Sequence, residues 1–355
     1  MIFSPTAQEQ QEGGAKPVQP TKPLVSIGIP SYNRAALLQR AMESVLSQDY
    51  DNIELIVSDN ASTDGTQALC EEFCRRDSRV RYIRQPVNRG ANANFIEVSQ
   101  RSRGEYYMVI GDDDWLDISY VSQCLQALIQ DPELVLVCGI SRWFQGQTFL
   151  GDEHVASLLH DTGRERVLEY YRKVDGNGMF HGLIRRKVLT GLPLPRNVFG
   201  GDWLYVASIA FTGKCAVLES TAVNKLRGGI SEHVEKTVEM LRLPRFQGSH
   251  PYLSLAIYAS VSIMRDSPVY KSLKLSDRYL LALDVFRVMD ARFDLIKSEI
   301  RKTRPYHLYS RIKRILSKSR GLGRRERHGG VGLSRALGDE DGQGGHAMGA
   351  GETVV

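Results

Sequence analysis

Short apolar runs of strand length alternate with helical patterns through the first half of the chain. The runs that resemble strands are LVSIGIP, IELIVSD, VRYIRQ, YYMVIGD and LVLVCG. Between them, apolar residues recur at helical spacing within 34–48, 64–76, 91–101 and 118–130. Apolar strands separated by helices are typical of a mainly parallel sheet that is covered on both faces. The pattern therefore predicts an α/β doubly wound fold with ligands at the carboxyl ends of its strands.

The pattern weakens at both ends of the chain and divides it into four predicted regions. Residues 1–22 and 321–355 have no apolar period and are rich in Gln, Pro or Gly, so we expect both to be disordered. Between them lie an α/β domain, predicted over 23–232, and a helical extension with a basic end, predicted over 233–320. The extension is expected to contain two or three amphipathic helices between residues 250 and 317.

Positive charge is concentrated near the end of the helical extension. Residues 301–328 contain eleven Lys or Arg against one acid, Glu326, a local balance of +10 in a chain whose net charge is +5. The rest of the chain therefore carries about −5, and the basicity belongs to this one segment. Tyr, Ile and Leu are interleaved with its basic residues. Such a segment fits contact with an anionic membrane surface, nonspecific contact with nucleic acid, or a solvated end.

Composition excludes several classes of protein. A content of 42% hydrophobic and 25% charged residues is that of a globular protein and not of a disordered or fibrous one. The five cysteines are too few and too scattered for a disulfide framework, and no C-x-x-C is present, which fits a reducing compartment. No signal-peptide pattern begins the sequence, and the longest apolar stretch, 251–264, is shorter than the ~20 residues of a bilayer span. We therefore expect a soluble cytoplasmic protein.

Polar motifs directly follow three of the predicted strands, where the sheet would place ligands. The first, IPSYNR, supplies Pro30, which ends strand pairing, Tyr32, an aromatic face, and Arg34, a cation. An ordinary turn between strand and helix explains this motif equally well. The second, SDNASTDGT, places Asp59 at the end of its strand. Helix capping explains Asp64 in this motif but not Asp59, which is a candidate to accept hydrogen bonds from a base or a ribose.

The third motif, GDDDW, places three consecutive carboxylates at the end of an apolar strand. Asp112, Asp113 and Asp114 would raise one another's pKa unless a positive charge lies beside them. A divalent cation with oxygen ligands, carrying a diphosphate on its other side, would supply that charge. The alternative is an acidic helix N-terminus favoured by the helix dipole, for which one Asp would suffice. We therefore expect a site for Mg²⁺ or Mn²⁺.

Taken together, in this order and spacing, the three motifs resemble those of a family 2 glycosyltransferase with a GT-A fold. The resemblance runs from about residue 24 to 139 and continues more loosely to about 230. It implies that 23–232 is the catalytic domain of an inverting enzyme, which moves a sugar from a nucleotide-diphosphate donor, preferably UDP, to an acceptor hydroxyl. The implied partners are that donor, a glycan or lipid-linked acceptor, and an anionic membrane at 301–328, on whose cytoplasmic face the protein would be peripheral. No specific nucleic acid is expected.

The same resemblance assigns roles to the residues of the first two motifs. Pro30, Tyr32 and Asp59 fall where the family grips the base of the donor nucleotide, and Arg34 lies beside them.

In the third motif, the acidic residues fall on the family's D-x-D. Gly111 replaces the usual first Asp of that motif, so Asp112 is the expected contact to the ribose or the phosphate. Asp113 takes the place of the metal-binding Asp, with Asp114 beside it. Which two carboxylates share the ion stays open.

A general base is implied about ninety residues after the acidic cluster, at the start of a helix. The match is FGGDW, in which Asp202 opens an amphipathic helix and Gly201 replaces the usual Glu. Asp202 is also a good helix cap after two glycines, so capping is the alternative explanation. A base would raise the rate by about 10²–10⁴-fold, because a neutral sugar hydroxyl is a poor nucleophile.

Weaker candidates follow from two further segments. In RGGISEH, Arg227 or His233 could touch the diphosphate from a loop, although a lone His is more often only a surface residue. In MFHGLIRR, which resembles the acceptor-side strand of the family, His181 is a candidate contact to the acceptor.

Two other functions compete with the glycosyltransferase. A nucleotidyltransferase of GT-A-like fold would need a Gly-rich, Lys-containing phosphate loop after the first strand, and IPSYNR is not such a loop. The chain could also be a catalytically silent scaffold that binds sugar nucleotides, but Asp59, Asp113 and Asp202 are all intact, which argues against a decayed enzyme. Metal-dependent hydrolysis of UDP-sugars separates the enzyme from the scaffold.

Overall fold

A computed structural model describes residues 22–192, 197–227 and 234–297. These residues all lie within the compact unit that ends at Arg304. The predicted arm before Lys22, the predicted tail and the basic segment 301–328 lie outside the described residues, as does His233.

Strands and helices alternate through the first half of the described chain and give way to helices in the second. The strands are β1 (Val25–Ser31), β2 (Ile53–Asp59), β3 (Val80–Arg84), β4 (Tyr106–Val109), β5 (Trp115–Leu116), β6 (Leu134–Gln145), β7 (Thr148–Glu153), β8 (Leu183–Arg185) and β9 (Lys214–Leu226). The α-helices are α1 (Ala35–Leu46), α2 (Thr66–Arg76), α3 (Ala91–Arg101), α4 (Tyr120–Gln130), α5 (Gly163–Lys173), α6 (Gly201–Thr212), α7 (Val234–Met240), α8 (Arg245–Ser249), α9 (Pro251–Val261) and α10 (Leu275–Phe293).

The strands form one mixed sheet in the order β3-β2-β1-β4-β8-β6-β9-β5, and β7 pairs with β6. Strands β3, β2, β1 and β4 are parallel, as are β6 and β9, whereas β8 runs antiparallel to both of its neighbours. Helices surround this sheet, and the predicted α/β doubly wound fold is confirmed. Because β1 and β2 are in register, Ser31 lies opposite Asp59 at the carboxyl end of both strands.

Burial explains why the first elements form where the sequence predicts them. All seven residues of β2 are buried, as expected for a strand covered on both faces. Helix α1 buries Leu38, Ala41, Met42 and Val45, which recur at helical spacing and pack into the main hydrophobic core. These elements place the loops after β1, β2 and β4 at one edge of the sheet.

The strand that contains LVLVCG is longer than the sequence pattern predicts. It continues as β6 to Gln145 and turns back into β7, with Gly146 at a φ of +61° in the turn. A positive φ favours glycine, so the turn has a sequence signal, namely a Gly between two aromatic-containing segments. The hairpin carries Trp143 and Glu153, whose side chains hydrogen-bond to each other over 2.9 Å.

The helices after β9 pack onto the domain that carries the sheet. Helix α10 is joined to α5 by an ion pair between Asp284 and Arg164, and Arg292 donates a hydrogen bond to the carbonyl of Tyr171 over 3.3 Å. Within the described ranges, no helix is long and apolar enough to cross a membrane.

Candidate active site

Loops after β1 and β2 are locked together by side-chain to backbone hydrogen bonds. The Asn33 carboxamide oxygen accepts from the backbone N–H of Thr63 over 2.7 Å, and Asn33 itself adopts a φ of +53°. The carboxylate of Asp64 accepts from the N–H of Ala35 and from that of Thr66, both over 3.0 Å. Asp64 therefore caps the first turns of α1 and α2 at once, which fits its predicted role as a cap.

Asp59 is fully buried and is held by three donors. Its carboxylate accepts from the N–H of Ser62 over 2.8 Å, from the hydroxyl of Tyr82 over 2.7 Å and from Arg84 Nη1 over 2.8 Å. Burial and the hydrogen bond to Asp59 raise the pKa of Tyr82. The sequence analysis missed Tyr82 and Arg84, although both lie on the strand next to Asp59. Contact between Asp59 and a donor base stays a prediction.

Arg34 joins the first motif to the acidic cluster. Its Nη1 lies 2.7 Å from Asp113 Oδ2 and 3.1 Å from Asp112 Oδ1. Asp112 also accepts a hydrogen bond from the hydroxyl of Ser31 over 2.7 Å. Burial raises the pKa of Asp112 to about 6, against the opposing effect of the Arg34 charge. Arg34 therefore supplies part of the positive charge that three adjacent carboxylates require.

Asp114 is buried and faces His181. Burial raises the pKa of Asp114 to about 7, against the lowering effect of the charge on Lys225. His181 Nε2 lies 3.5 Å from Asp114 Oδ2, and its Nδ1 lies 3.1 Å from the carbonyl oxygen of Val109. Burial lowers the pKa of His181 to about 3, so its ring is neutral at pH 7. Because a carbonyl only accepts, Nδ1 carries the proton, and Nε2 presents its lone pair towards Asp114.

Gly111 leaves room between the carboxylates of Asp113 and Asp114. A Cβ at Gly111 would lie 2.8 Å both from Asp113 Oδ1 and from Asp114 Oδ2. The two oxygens thus flank a space that a side chain in place of Gly111 would fill. Within 22–192, 197–227 and 234–297, no group of three or more His, Cys, Asp or Glu is arranged to hold a metal ion. Two carboxylates suit Mg²⁺ or Mn²⁺ only where a substrate phosphate completes the coordination.

Asp202 lies in the first turn of α6 and is held by Asn177. Asn177 Nδ2 donates to Asp202 Oδ2 over 2.7 Å, and Asn177 Oδ1 accepts from the hydroxyl of Tyr170 over 2.8 Å. Burial raises the pKa of Asp202, and the hydrogen bond from Asn177 partly opposes this rise. Gly200, before the helix, has a φ of +69°, and the side chain of Leu255 leaves no room for a Cβ there. Glycine at this position therefore shapes the turn that carries Asp202.

One segment connects Asp202 with the acidic cluster. At its start, Asn177 donates a hydrogen bond to Asp202. Four residues later, the ring of His181 faces the carboxylate of Asp114. Lys225, which is buried, donates to the carbonyl of Gly176 over 3.2 Å, and its charge lowers the pKa of both Asp114 and Asp202. The acidic cluster and Asp202 therefore belong to one site. The sequence analysis missed Asn177 and Lys225, which no motif marks.

The remaining candidates are more scattered. The expectation that Pro30 ends strand pairing was wrong, because Pro30 lies within β1 opposite Ser58 and the pairing continues to Ser31 opposite Asp59. Tyr32 is 44% exposed in the loop that follows. Arg227 follows β9, with its guanidinium 5.6 Å from the ring centre of Trp143. His233 lies outside the described residues. Contact of these residues with a donor or acceptor stays a prediction.

The sequence model of Glycosyl transferase family 2 matches residues 26–192. EpsH of Bacillus subtilis (strain 168), whose name assigns it to the glycosyltransferases, is 28% identical over 236 residues, 66% of this chain and 60% of EpsH. The GalNAc(5)-diNAcBac-PP-undecaprenol beta-1,3-glucosyltransferase of Campylobacter jejuni is 33% identical over 109 residues, 30% of this chain and 34% of that enzyme. The chain thus spans less than two thirds of either relative.

A solved structure shows the same fold. TarS 1-349 of S. aureus in complex with UDP-GlcNAc superposes with a TM-score of 0.56 at 15% identity, covering 78% of this chain and 76% of that one. At this identity the likeness concerns the fold, which is of the GT-A type.

Proposed function

We propose that this chain, whose residues 26–192 match the model of Glycosyl transferase family 2, transfers a sugar from a nucleotide-diphosphate donor to an acceptor hydroxyl with inversion. The transfer would serve the synthesis of a glycan or polysaccharide. One observation carries the proposal. In the segment from Asn177 to His181, Asn177 is hydrogen-bonded to Asp202 and His181 lies 3.5 Å from Asp114. A carboxylate able to take a proton is thereby fixed beside the carboxylates that the donor phosphates would approach.

The reaction needs one proton transfer and one displacement. The Asp202 carboxylate takes the proton of the acceptor hydroxyl while the acceptor oxygen forms a bond to the anomeric carbon. The bond from that carbon to the diphosphate oxygen breaks, and the nucleoside diphosphate leaves with the electron pair. Attack from the face opposite the leaving group inverts the anomeric centre. The raised pKa of Asp202 strengthens it as a base, whereas the hydrogen bond from Asn177 orients it.

Asp113 and Asp114 would hold a Mg²⁺ or Mn²⁺ ion together with the donor diphosphate. The space beside Gly111, flanked by one oxygen of each carboxylate, supports this assignment. When bound, the ion offsets the negative charge that develops on the departing diphosphate. Arg34 stabilises Asp113 through an ion pair of 2.7 Å. Asp112, bonded to Ser31 and Arg34, faces the ribose or phosphate side in this proposal.

UDP is the nucleotide that we propose for the donor. The family resemblance puts Pro30, Tyr32 and Asp59 around the base, and the TarS structure, which shares the fold, is a complex with UDP-GlcNAc. Tyr32 is exposed and offers a ring face, and Arg84 extends the Asp59 network towards solvent.

A lipid-linked glycan at a membrane surface is the acceptor setting that we propose. The name of the Campylobacter jejuni relative identifies an acceptor built on undecaprenol diphosphate. Contact of the basic segment 301–328 with anionic lipid, worth ~1 kcal/mol per basic residue near the surface, would bring this protein to such acceptors. Co-sedimentation with anionic vesicles at low salt tests the contact: equal binding by a chain lacking 301–355 would refute it.

Hydrolysis of UDP-sugars tests the central proposal. We expect slow Mn²⁺-dependent release of UDP by the parent and loss of Mn²⁺-dependent UDP binding in Asp113→Asn, with the fold intact. A parent that binds UDP and Mn²⁺ but releases no UDP from any sugar donor would instead be a binding scaffold. Unchanged affinity of Asp113→Asn for UDP with Mn²⁺ would remove the metal assignment alone.

A further inference from the structure

A cavity of about 780 Å³ lies beside Asp202. This volume falls within the ~300–1,000 Å³ typical of small-molecule sites. Its wall contains five aromatic side chains, namely Trp143, Phe199, Trp203, Tyr252 and Phe293. All five side chains are partly exposed. Trp143, in the β6–β7 hairpin, lies within residues 26–192, and the other four lie outside that range. Most of the aromatic wall thus comes from parts of the chain that the family match does not include.

The aromatic wall is built by contacts between its own members. The rings of Tyr252 in α9 and Phe293 in α10 stack with centres 4.0 Å apart and an angle of 6° between their planes. Phe199 meets Tyr252 edge to face at 5.9 Å, and Trp203 lies 6.4 Å from Phe293. Through Phe199 and Trp203, the stacked pair in the helical extension therefore contacts the segment on either side of Asp202.

Charge in the cavity is predominantly negative. The described side chains that line it include four carboxylates, Asp152, Glu153, Asp175 and Asp202, and two guanidinium groups, Arg227 and Arg292. Both guanidinium groups already contact the wall. Arg292 lies 4.9 Å from the ring centre of Phe293 and 3.9 Å from Asp175, and Arg227 lies over Trp143. A phosphate in this cavity would meet more negative than positive charge.

A neutral saccharide matches both properties of the cavity. One face of a pyranose ring carries C–H groups, which pack on an aromatic ring, and its hydroxyls form hydrogen bonds with carboxylates. Hydroxyls bound beside Asp202 would lie where a base can take a proton. A phosphorylated polyol or a lipid headgroup has the opposite charge preference.

We propose that this cavity binds the acceptor as a neutral saccharide, with Tyr252 and its stacked partner Phe293 as the platform for a sugar ring. The proposal rests on the proposed function, because it supplies the acceptor for the base Asp202. Helices α9 and α10 then select the acceptor, whereas residues 26–192 provide the donor half. A phosphoryl group is disfavoured at this position in the cavity, because four carboxylates and two guanidinium groups line the described wall.

Binding measured apart from catalysis tests the proposal. Two of the three tryptophans of the chain line the cavity, so intrinsic fluorescence reports on its occupation. The full chain, saturated with UDP and Mn²⁺, is titrated with methyl glycosides and trisaccharides of the common hexoses and N-acetylhexosamines, and with ribitol 5-phosphate. We expect a saturable response to at least one neutral saccharide and none to ribitol 5-phosphate.

Variants of Tyr252 locate the response. Tyr252→Ala, and Tyr252→Leu, which retains bulk without a ring face, should weaken saccharide binding at least ~10-fold and raise the acceptor KM similarly. Tyr252→Phe keeps the ring and should remain within a few-fold of the parent. Tyr279→Ala is the matched control, because Tyr279 lies exposed on α10 and does not line the cavity. Donor hydrolysis without acceptor should be unchanged in Tyr279→Ala.

Several results would overturn the proposal. They are a response to ribitol 5-phosphate alone, no response to any saccharide while donor hydrolysis persists, or equal affinity of parent and folded Tyr252→Leu. In each of these cases the glycosyltransferase function stands. Saccharide binding that depends on Tyr252 in a protein without donor hydrolysis would support the cavity and refute the proposed function.

Discussion

The side-chain amide of Asn177 and the carboxylate of Asp202 are joined by a hydrogen bond of 2.7 Å. Asn177 is buried, adopts a φ of +50° and is fixed on its other side by the Tyr170 hydroxyl. A non-glycine residue at positive φ is uncommon and costs conformational energy, of order 1–3 kcal/mol when the surroundings impose it. The fold thus maintains an unfavourable backbone conformation at the residue that orients the proposed base.

Removal of this amide should move the pH dependence of transfer. The hydrogen bond favours the ionised carboxylate, so Asn177→Ala should raise the pKa of Asp202 further. A base works only when ionised, and the acid limb of the kcat/KM profile should therefore shift to higher pH. The matched control is Asn52→Ala, just before β2, where the side chain donates a hydrogen bond to the backbone carbonyl of Lys22. An acid limb that stays at the parent's pH in Asn177→Ala would contradict the positioning role.

Asp202→Asn separates the enzyme from a binding protein. Asparagine preserves the shape of the side chain and caps a helix about as well as aspartate, but it accepts no proton at neutral pH. The variant should unfold near the parent's Tm, bind UDP and Mn²⁺ normally, and lose at least ~10² in transfer rate. Transfer within a few-fold of the parent would leave Asp202 as a helix cap only.

Stability of the ligand-free protein should depend on pH through Asp114. Its pKa is raised to about 7, so the folded state binds a proton more tightly than the unfolded chain does. Its stabilising contribution is complete below the unfolded pKa of ~3.9 and is lost as the pH rises through about 7. Asp114→Asn mimics the protonated form of Asp114. The free energy of unfolding of this variant relative to the parent should therefore be roughly 2–3 kcal/mol higher at pH 8 than at pH 5.

Urea unfolding with EDTA at both pH values measures this difference. Asp117→Asn provides a control carboxylate close by in the chain, whose side chain pairs with Arg142 at 3.1 Å. A gain of Asp114→Asn that is the same at pH 5 and pH 8 would show that burial does not raise the pKa of Asp114.

Local patterns were enough to predict five strands of the sheet, β1 to β4 and β6, but not every strand or all of the site. Strand β2 and helix α3 begin and end where their apolar patterns do. A strand buried on both faces requires a continuous apolar run, and a helix buried on one side requires apolar residues at helical spacing, so both can be identified from the sequence. Asp112, Asp113 and Asp114 were also identifiable, since one strand end carries all three. By contrast, Asn177 and Tyr252 act through partners 25 and more residues away, and no local spacing records those contacts. Their roles follow from tertiary packing alone.

Substitution of Asp59 should affect both the fold and the donor. Asp59→Ala leaves the buried Tyr82 hydroxyl and the Ser62 N–H without their acceptor, which costs ~1–3 kcal/mol of unfolding free energy. If Asp59 also binds the base, affinity for UDP falls by a further ~1–3 kcal/mol, about tenfold for each 1.4 kcal/mol. Thermal unfolding measures the first effect, and calorimetric titration with UDP well below the Tm measures the second.

Tyr82→Phe distinguishes direct contact from a damaged pocket. This variant removes one hydrogen bond to Asp59 but keeps the carboxylate and its bonds to Arg84 and Ser62. If Asp59 contacts the base, Tyr82→Phe should lose stability while its affinity for UDP stays near the parent's. An equal loss of UDP affinity in both variants would mean that Asp59 acts by positioning its neighbours. Unchanged affinity for UDP in Asp59→Ala would show that the Asp59 carboxylate does not contribute to donor binding. Its role would then be limited to stabilising the fold through Tyr82 and Ser62.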